Sequence, residues 1–221
     1  MTVWAIVRKD LSIELRTGET LSSLLLLALL AILIFAFALD PALLAGADFV
    51  AGLLWTTLIF AATLALNRSF LLEHEAGGWT GLALAPVDRG SIYLGKAAAN
   101  LVLLIVAAAL LLPLTAVLVG TTRLAPTPAL PVVVLLGVTG ISAVGTLFAA
   151  IAIRTRAREV LLPLLIFPLL APLVIAAAKA TAGALSGKSF AELRSWLLVL
   201  GSFDVIFLTA GWTAFDFVIE E

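Results

Sequence analysis

The chain of 221 residues is 63% hydrophobic and only 12% charged, with a formal charge of -1, about half the charge of an average soluble domain, so lipid rather than water is its main solvent. No basic face long enough to track a nucleic acid remains, and the absence of cysteine removes disulfides, thiolate metal sites, iron–sulfur clusters and cysteine nucleophiles together. With one histidine (His74), one tyrosine (Tyr93) and Met1 the sole methionine, paired ligands for a haem or zinc are hard to assemble. No metal ligand and no catalytic residue is therefore assigned, and cofactor chemistry is expected of a partner.

Residues 2–16 place Trp4, Val7, Leu11 and Leu15 at three- and four-residue intervals, with Arg8, Lys9, Ser12 and Arg16 on other faces. This pattern predicts an amphipathic helix lying in a membrane interface as an elbow before the first crossing, the plainer alternative being a cytosolic helix packed on the rest of the protein. The apolar run that follows is too long for a signal peptide and lacks a small-residue cleavage site. Residues 21–39 form the first expected span, ended by Asp40-Pro41, and residues 49–66 the second, with Trp55 inside it and assigned to helix packing.

Residues 67–96 form a polar bridge to the third span. Ser69 to Ala76 can make about two helical turns, but the pair Gly77-Gly78 should bend or stop them, since glycine costs about 1 kcal/mol against alanine in a helix. Trp79, Leu82 and Leu84 can then dip into the interface while Glu73, His74 and Glu75 face water. Pro86 with Asp88-Arg89 supplies a turn, and Tyr93 and Lys96 mark re-entry to the membrane. A short charged helix projecting from a membrane domain is how such a domain receives a push from a soluble motor; the plainer alternative is a solvated loop.

Residues 97–119 form the third span, with Asn100 one turn inside as a candidate intramembrane polar site and Pro113 predicting a kink. The fourth, 129–153, carries Gly137, Gly140, Ser142, Gly145, Thr146 and Ala149, small residues that let helices approach closely in lipid, either for packing within the bundle, the preferred reading, or at a dimer interface. Arg154, Arg156, Arg158 and Glu159 crowd the next turn and offer either a topology anchor or a second cytoplasmic contact. The fifth span, 160–178, contains Pro163, Pro168 and Pro172 and should be kinked or broken.

In the loop 179–195, Ala182 to Ser189 (AGALSGKS) fits a relaxed phosphate-loop pattern. It is rejected as a nucleotide site, because that motif needs a preceding buried strand, a following helix and an acidic Mg²⁺ partner in a soluble domain. Ser189 and Glu192 instead form a capping box for a short helix running into Trp196. Residues 196–219 form the sixth span, with Asp204 inside it. An aspartate there costs about 2.5–3.5 kcal/mol on insertion scales and marks a candidate polar site, either facing a cleft or protonated and bonded to a neighbouring helix.

The order Trp55, Phe60, Asn67-Arg68-Ser69-Phe70, Glu73, Glu75, Gly81-Leu82, Ala85-Pro86-Val87-Asp88-Arg89, Ile92-Tyr93 and Gly95-Lys96 resembles the CcmB family, the membrane subunit of the cytochrome c maturation ABC complex. Thr155-Arg156-Ala157-Arg158-Glu159, Pro163-Leu164-Leu165, Phe167-Pro168 and Pro172 match the same family. The resemblance runs from about Arg8 to the C-terminus, so residues 1–221 read as a single transmembrane permease domain.

It implies a bacterial inner-membrane complex with the ATPase CcmA, a second copy of this chain, CcmC and CcmD, acting on haem attachment and on release of the haem-loaded chaperone CcmE. ATP and Mg²⁺ would sit on the ATPase, haem on partner subunits, and Phe70, Glu73, His74, Glu75, Trp79 and Leu82 would contact the ATPase. The N-terminal segment, the bridge and the arginine turn hold nine Lys/Arg against four in the opposite loops, which puts both termini in the cytoplasm with six crossings. The expected architecture is thus all-α, with six transmembrane helices after an interfacial helix and a cytoplasmic coupling helix between spans two and three. The rivals are an autonomous transporter or channel, which would need inverted repeats and a midplane ion site, and a membrane scaffold without moving parts.

Overall fold

The computed structural model describes residues 3–40, 46–75, 88–118, 125–152 and 158–220, with the backbone alone given for 67–75, 158–162 and 216–220. Seven helices account for nearly all of them: α1 Val3–Thr17, α2 Glu19–Ala38, α3 Ala47–Glu75, α4 Arg89–Leu118, α5 Ala129–Ala152, α6 Arg158–Leu185 and α7 Phe190–Glu220. α2 to α7 each contain a stretch long and apolar enough to cross a membrane, and α1 is the seventh helix. The all-α, six-span architecture expected from the apolar runs is therefore present.

α5 is the centre of the bundle and packs against α3, α4, α6 and α7. Its sequence explains the position, because the small residues along it admit large side chains from its neighbours. A Cβ built at Gly137 would collide with the Trp55 indole of α3, and one at Gly145 with Leu66 of the same helix. Trp55 is fully buried and donates its indole N–H to Thr181 Oγ1 of α6 at 2.9 Å, which agrees with the packing role read for it. α2 and α7 are the least enclosed spans and turn Leu26, Leu30, Phe37, Leu198, Val205 and Ile206 outward. In a bilayer, exposed apolar side chains of this kind meet lipid.

Helix ends differ from the expected spans in an instructive way. α4 begins at Arg89 rather than 97, because Asp88 caps it: Oδ2 of Asp88 accepts the Ser91 N–H at 3.1 Å and is 3.3 Å from Ser91 Oγ, an N-cap contact worth about 1 kcal/mol. α6 continues to Leu185, well past 178, and the assigned helix is unbroken at Pro163, Pro168 and Pro172. It ends in a Schellman motif, with Gly187 at φ 86°, the Lys188 N–H donating to Gly183 O at 3.0 Å and the Gly187 N–H to Ala184 O at 3.4 Å. The segment before α5 satisfies one more carbonyl of that end, through Ala125 N–H to Leu185 O at 2.8 Å, and adds a second bond to Ala184 O from the Thr127 N–H at 3.0 Å.

Glu192 Oε2 accepts the Ser189 N–H at 2.9 Å and lies 2.8 Å from Ser189 Oγ. The capping box thus begins α7, yet the helix it starts is the long one to Glu220 rather than a separate short one. No helix break separates the two because nothing between Phe190 and the sixth apolar run disfavours helix.

Candidate functional site

The bridge is described as far as Glu75. Phe70, Glu73, His74 and Glu75 lie on the last three turns of α3, which runs without interruption from the second span. Of the two turns expected at 69–76, residues 69–75 are helical, but as an extension of that span, because residues 66–70 contain no glycine or proline to stop the helix. Trp79 and Leu82 lie outside the described residues, as do Arg154 and Arg156; Arg158 and Glu159 form the first turn of α6 by backbone alone.

On the far side of the bridge, α4 carries its polar groups on one buried face. Tyr93, Lys96, Ala97 and Asn100 recur at the three- and four-residue spacing that brings helical positions together, and each is tied to a different neighbour. The Tyr93 hydroxyl lies 3.0 Å from Ala143 O of α5 and 3.3 Å from Phe207 O of α7. Ser142 Oγ donates to Ala97 O at 2.7 Å, and Asn100 Nδ2 to Thr146 Oγ1 at 2.9 Å. Asn100, offered by the sequence as a candidate intramembrane polar group, is thereby engaged in helix packing.

Lys96 departs furthest from expectation. Rather than marking an interface, its side chain is 1% exposed and its Nζ stands 2.9 Å from Asp10 Oδ2 of α1. The contact is ionic rather than directional, since Oδ2 has no hydrogen bond of acceptable angle. α1 is drawn against α4 at the same level, where the absent side chain of Gly95 makes room for Ile6. α1 therefore buries Ile6, Val7 and Glu14 while leaving Trp4 and Leu15 exposed, so Val7 belongs to the inner face and not with Trp4 on the outer one. Gly18, at φ 63°, closes the helix with its N–H on Glu14 O at 2.7 Å, and the Glu14 carboxylate accepts the Leu21 N–H at the start of α2.

Asp204 sits near the middle of the span Phe190–Phe215 and is 5% exposed. Its carboxylate lies where α7 meets α5 and α6: a Cβ at Gly140 would stand 2.8 Å from Asp204 Oδ1 and 2.7 Å from Leu173 Cδ1. Among the described residues neither carboxylate oxygen has a hydrogen-bond partner.

Asp10, Lys96 and the Gly18 joint were missed as tertiary features by reading the chain. A glycine just past an amphipathic helix was a legible signal for the joint; the pairing of Asp10 with Lys96, far apart in sequence, left none. Among the described residues no group of three His, Cys, Asp or Glu side chains comes together to hold a metal. A groove of about 370 Å³ between α4 and α5, lined by Ile105, Ala108, Leu112, Leu130 and Val134, offers no polar side chain to orient a ligand.

Comparison with known proteins adds what this geometry alone does not carry. The family model described as CcmB protein matches residues 1–220. The heme exporter protein B of Rhodobacter capsulatus is 32% identical over 174 residues, spanning 77% of this chain and 78% of the relative. That of Paracoccus denitrificans is 30% identical over 179 residues, 80% of each chain.

Proposed function

The chain belongs to the CcmB family, and from that premise we propose that it is the membrane-spanning subunit of an ABC-type complex in the bacterial inner membrane that handles haem for cytochrome c maturation. The observation that carries this is the family match along the whole bundle, with relatives named as heme exporters. In this reading ATP hydrolysis belongs to a partner ATPase of the CcmA type, two copies of this chain face two nucleotide domains, and CcmC and CcmD complete the complex. The energy is used to release the haem-loaded chaperone CcmE, with haem held by the partner subunits.

The bridge is the proposed contact with the motor. α3 continues from Leu66, where its apolar stretch ends, to Glu75, and nine further residues at 1.5 Å each extend the helix by about 13 Å. A rigid extension that carries Phe70, Glu73, His74 and Glu75 away from the apolar part suits a surface that receives force, with Trp79 and Leu82 beyond it. Arg154, Arg156, Arg158 and Glu159 would provide the second cytoplasmic contact. The excess of Lys/Arg on these segments supports placing them, and both termini, in the cytoplasm.

The test is co-purification of the ATPase with the triple variant Glu73→Ala, Glu75→Ala, Trp79→Ala. Loss of the ATPase from a variant that still inserts and folds is expected; full retention removes the bridge as the docking site. Accumulation of haem-loaded chaperone in cells carrying the variant separates the release step from haem delivery.

A further inference from the structure

Of the buried ionisable side chains described, three are satisfied by the protein. Glu14 accepts the Leu21 N–H, Lys96 meets Asp10, and Tyr93 reaches Ala143 O and Phe207 O. Asp204 is the exception, with both oxygens closed off and no protein donor on either.

Among the described residues no charged group faces this carboxylate to compensate it. α5 has no ionisable residue. On α6, Lys179 is exposed and paired with Asp48 at 3.3 Å, and Arg158 and Glu159 lie about four turns from Leu173 along the helix. On α4, Lys96 is engaged by Asp10, the Tyr93 hydroxyl is given to backbone carbonyls, and Arg89 stands at the helix start. On α7 itself, Glu192 and Arg194 are in the first turn and Asp216 lies about three turns beyond Asp204.

A bare carboxylate in such a place loses its hydration and gains no charge or donor in return, which costs free energy. A metal cation is a poor occupant, because hard cations need several oxygen ligands and no acidic cluster gathers around Asp204 among the described residues. The room is also wrong, since α5 approaches closely enough at Gly140 that even a methyl group would press on Oδ1.

We propose that Asp204 is a proton-binding site at the junction of α5, α6 and α7, and that the bound proton latches this junction closed. Ionisation requires water at the carboxylate, and water reaches it only when α7 parts from Gly140 and Leu173. The proton thus favours the packed arrangement and its loss favours a parted one, so the junction weakens as pH rises. The inference rests on the packing of these helices and is independent of the motor contact.

Infrared spectroscopy of the full chain in lipid bilayers tests it. Wild-type protein should show the C=O stretch of a protonated carboxylic acid, lost in Asp204→Asn and displaced when the aspartates carry ¹³C. Thermal stability should fall with rising pH in the wild type more steeply than in Asp204→Asn, whose amide cannot ionise. Isotope labelling of the wild type keeps the test open if the variant does not fold. A wild-type spectrum without an isotope-sensitive protonated aspartate band overturns the proposal, as does an identical pH dependence in the two proteins.

Discussion

The Trp55 indole of α3 occupies the space that a side chain on residue 137 of α5 would need, so the largest side chain of the core is seated on a glycine. Its N–H continues to Thr181 of α6. One residue thereby joins three helices.

Gly137→Ala should consequently destabilise the protein by about 1–3 kcal/mol, the usual cost of overpacking. Gly52→Ala and Gly201→Ala, helical positions where an added Cβ meets nothing within 4 Å, should be neutral or stabilising by up to about 1 kcal/mol through helix propensity. Unfolding midpoints of the three variants in one detergent give the comparison. Equal effects would show that Trp55 can move aside.

The ion pair between Lys96 and Asp10 should be costly to break from one side. Asp10 is 14% exposed and also 3.3 Å from Lys9, so Lys96→Met should cost less than Asp10→Leu, which takes a partner from the 1% exposed Lys96 and should cost up to about 3–5 kcal/mol; the double variant should recover part of the loss. A thermodynamic cycle of the four proteins measures the coupling, and additive losses would mean that the two side chains do not act as a pair.

Tyr93→Phe removes the hydroxyl that reaches Ala143 O and Phe207 O and should cost about 0.5–1.5 kcal/mol. Gly211→Ala should cost more, because its Cβ would collide with the Tyr93 ring, which is itself held against Phe215 with centroids 5.7 Å apart. The order of the two unfolding midpoints is the measurement.

Single cysteines at Ala83, in the bridge, and at Lys188, exposed in the turn between α6 and α7, should react with an impermeant reagent from opposite sides of the membrane. The absence of native cysteine makes the background clean. Labelling of both from one side would remove the proposed cytoplasmic position of the bridge.

Long apolar runs determined the helical class and the number of candidate crossings, because a backbone in lipid must satisfy its own hydrogen bonds and does so as helix. Local signals were equally readable: the capping box at Ser189 and Glu192, the small-residue face of α5 and the isolated aspartate at 204 depend on neighbours in the chain or on a solvent that excludes charge. Tertiary structure decided the rest. It turned Lys96 inward to Asp10 instead of outward to the interface. A lysine near a helix end can reach headgroups or a buried acid with the same stem, and only the approach of α1 over Gly95 selects the acid. The same holds for Asp204. Its presence in a span is written in the chain, but its enclosure against Gly140 and Leu173, with no donor in reach, exists only once three helices have met.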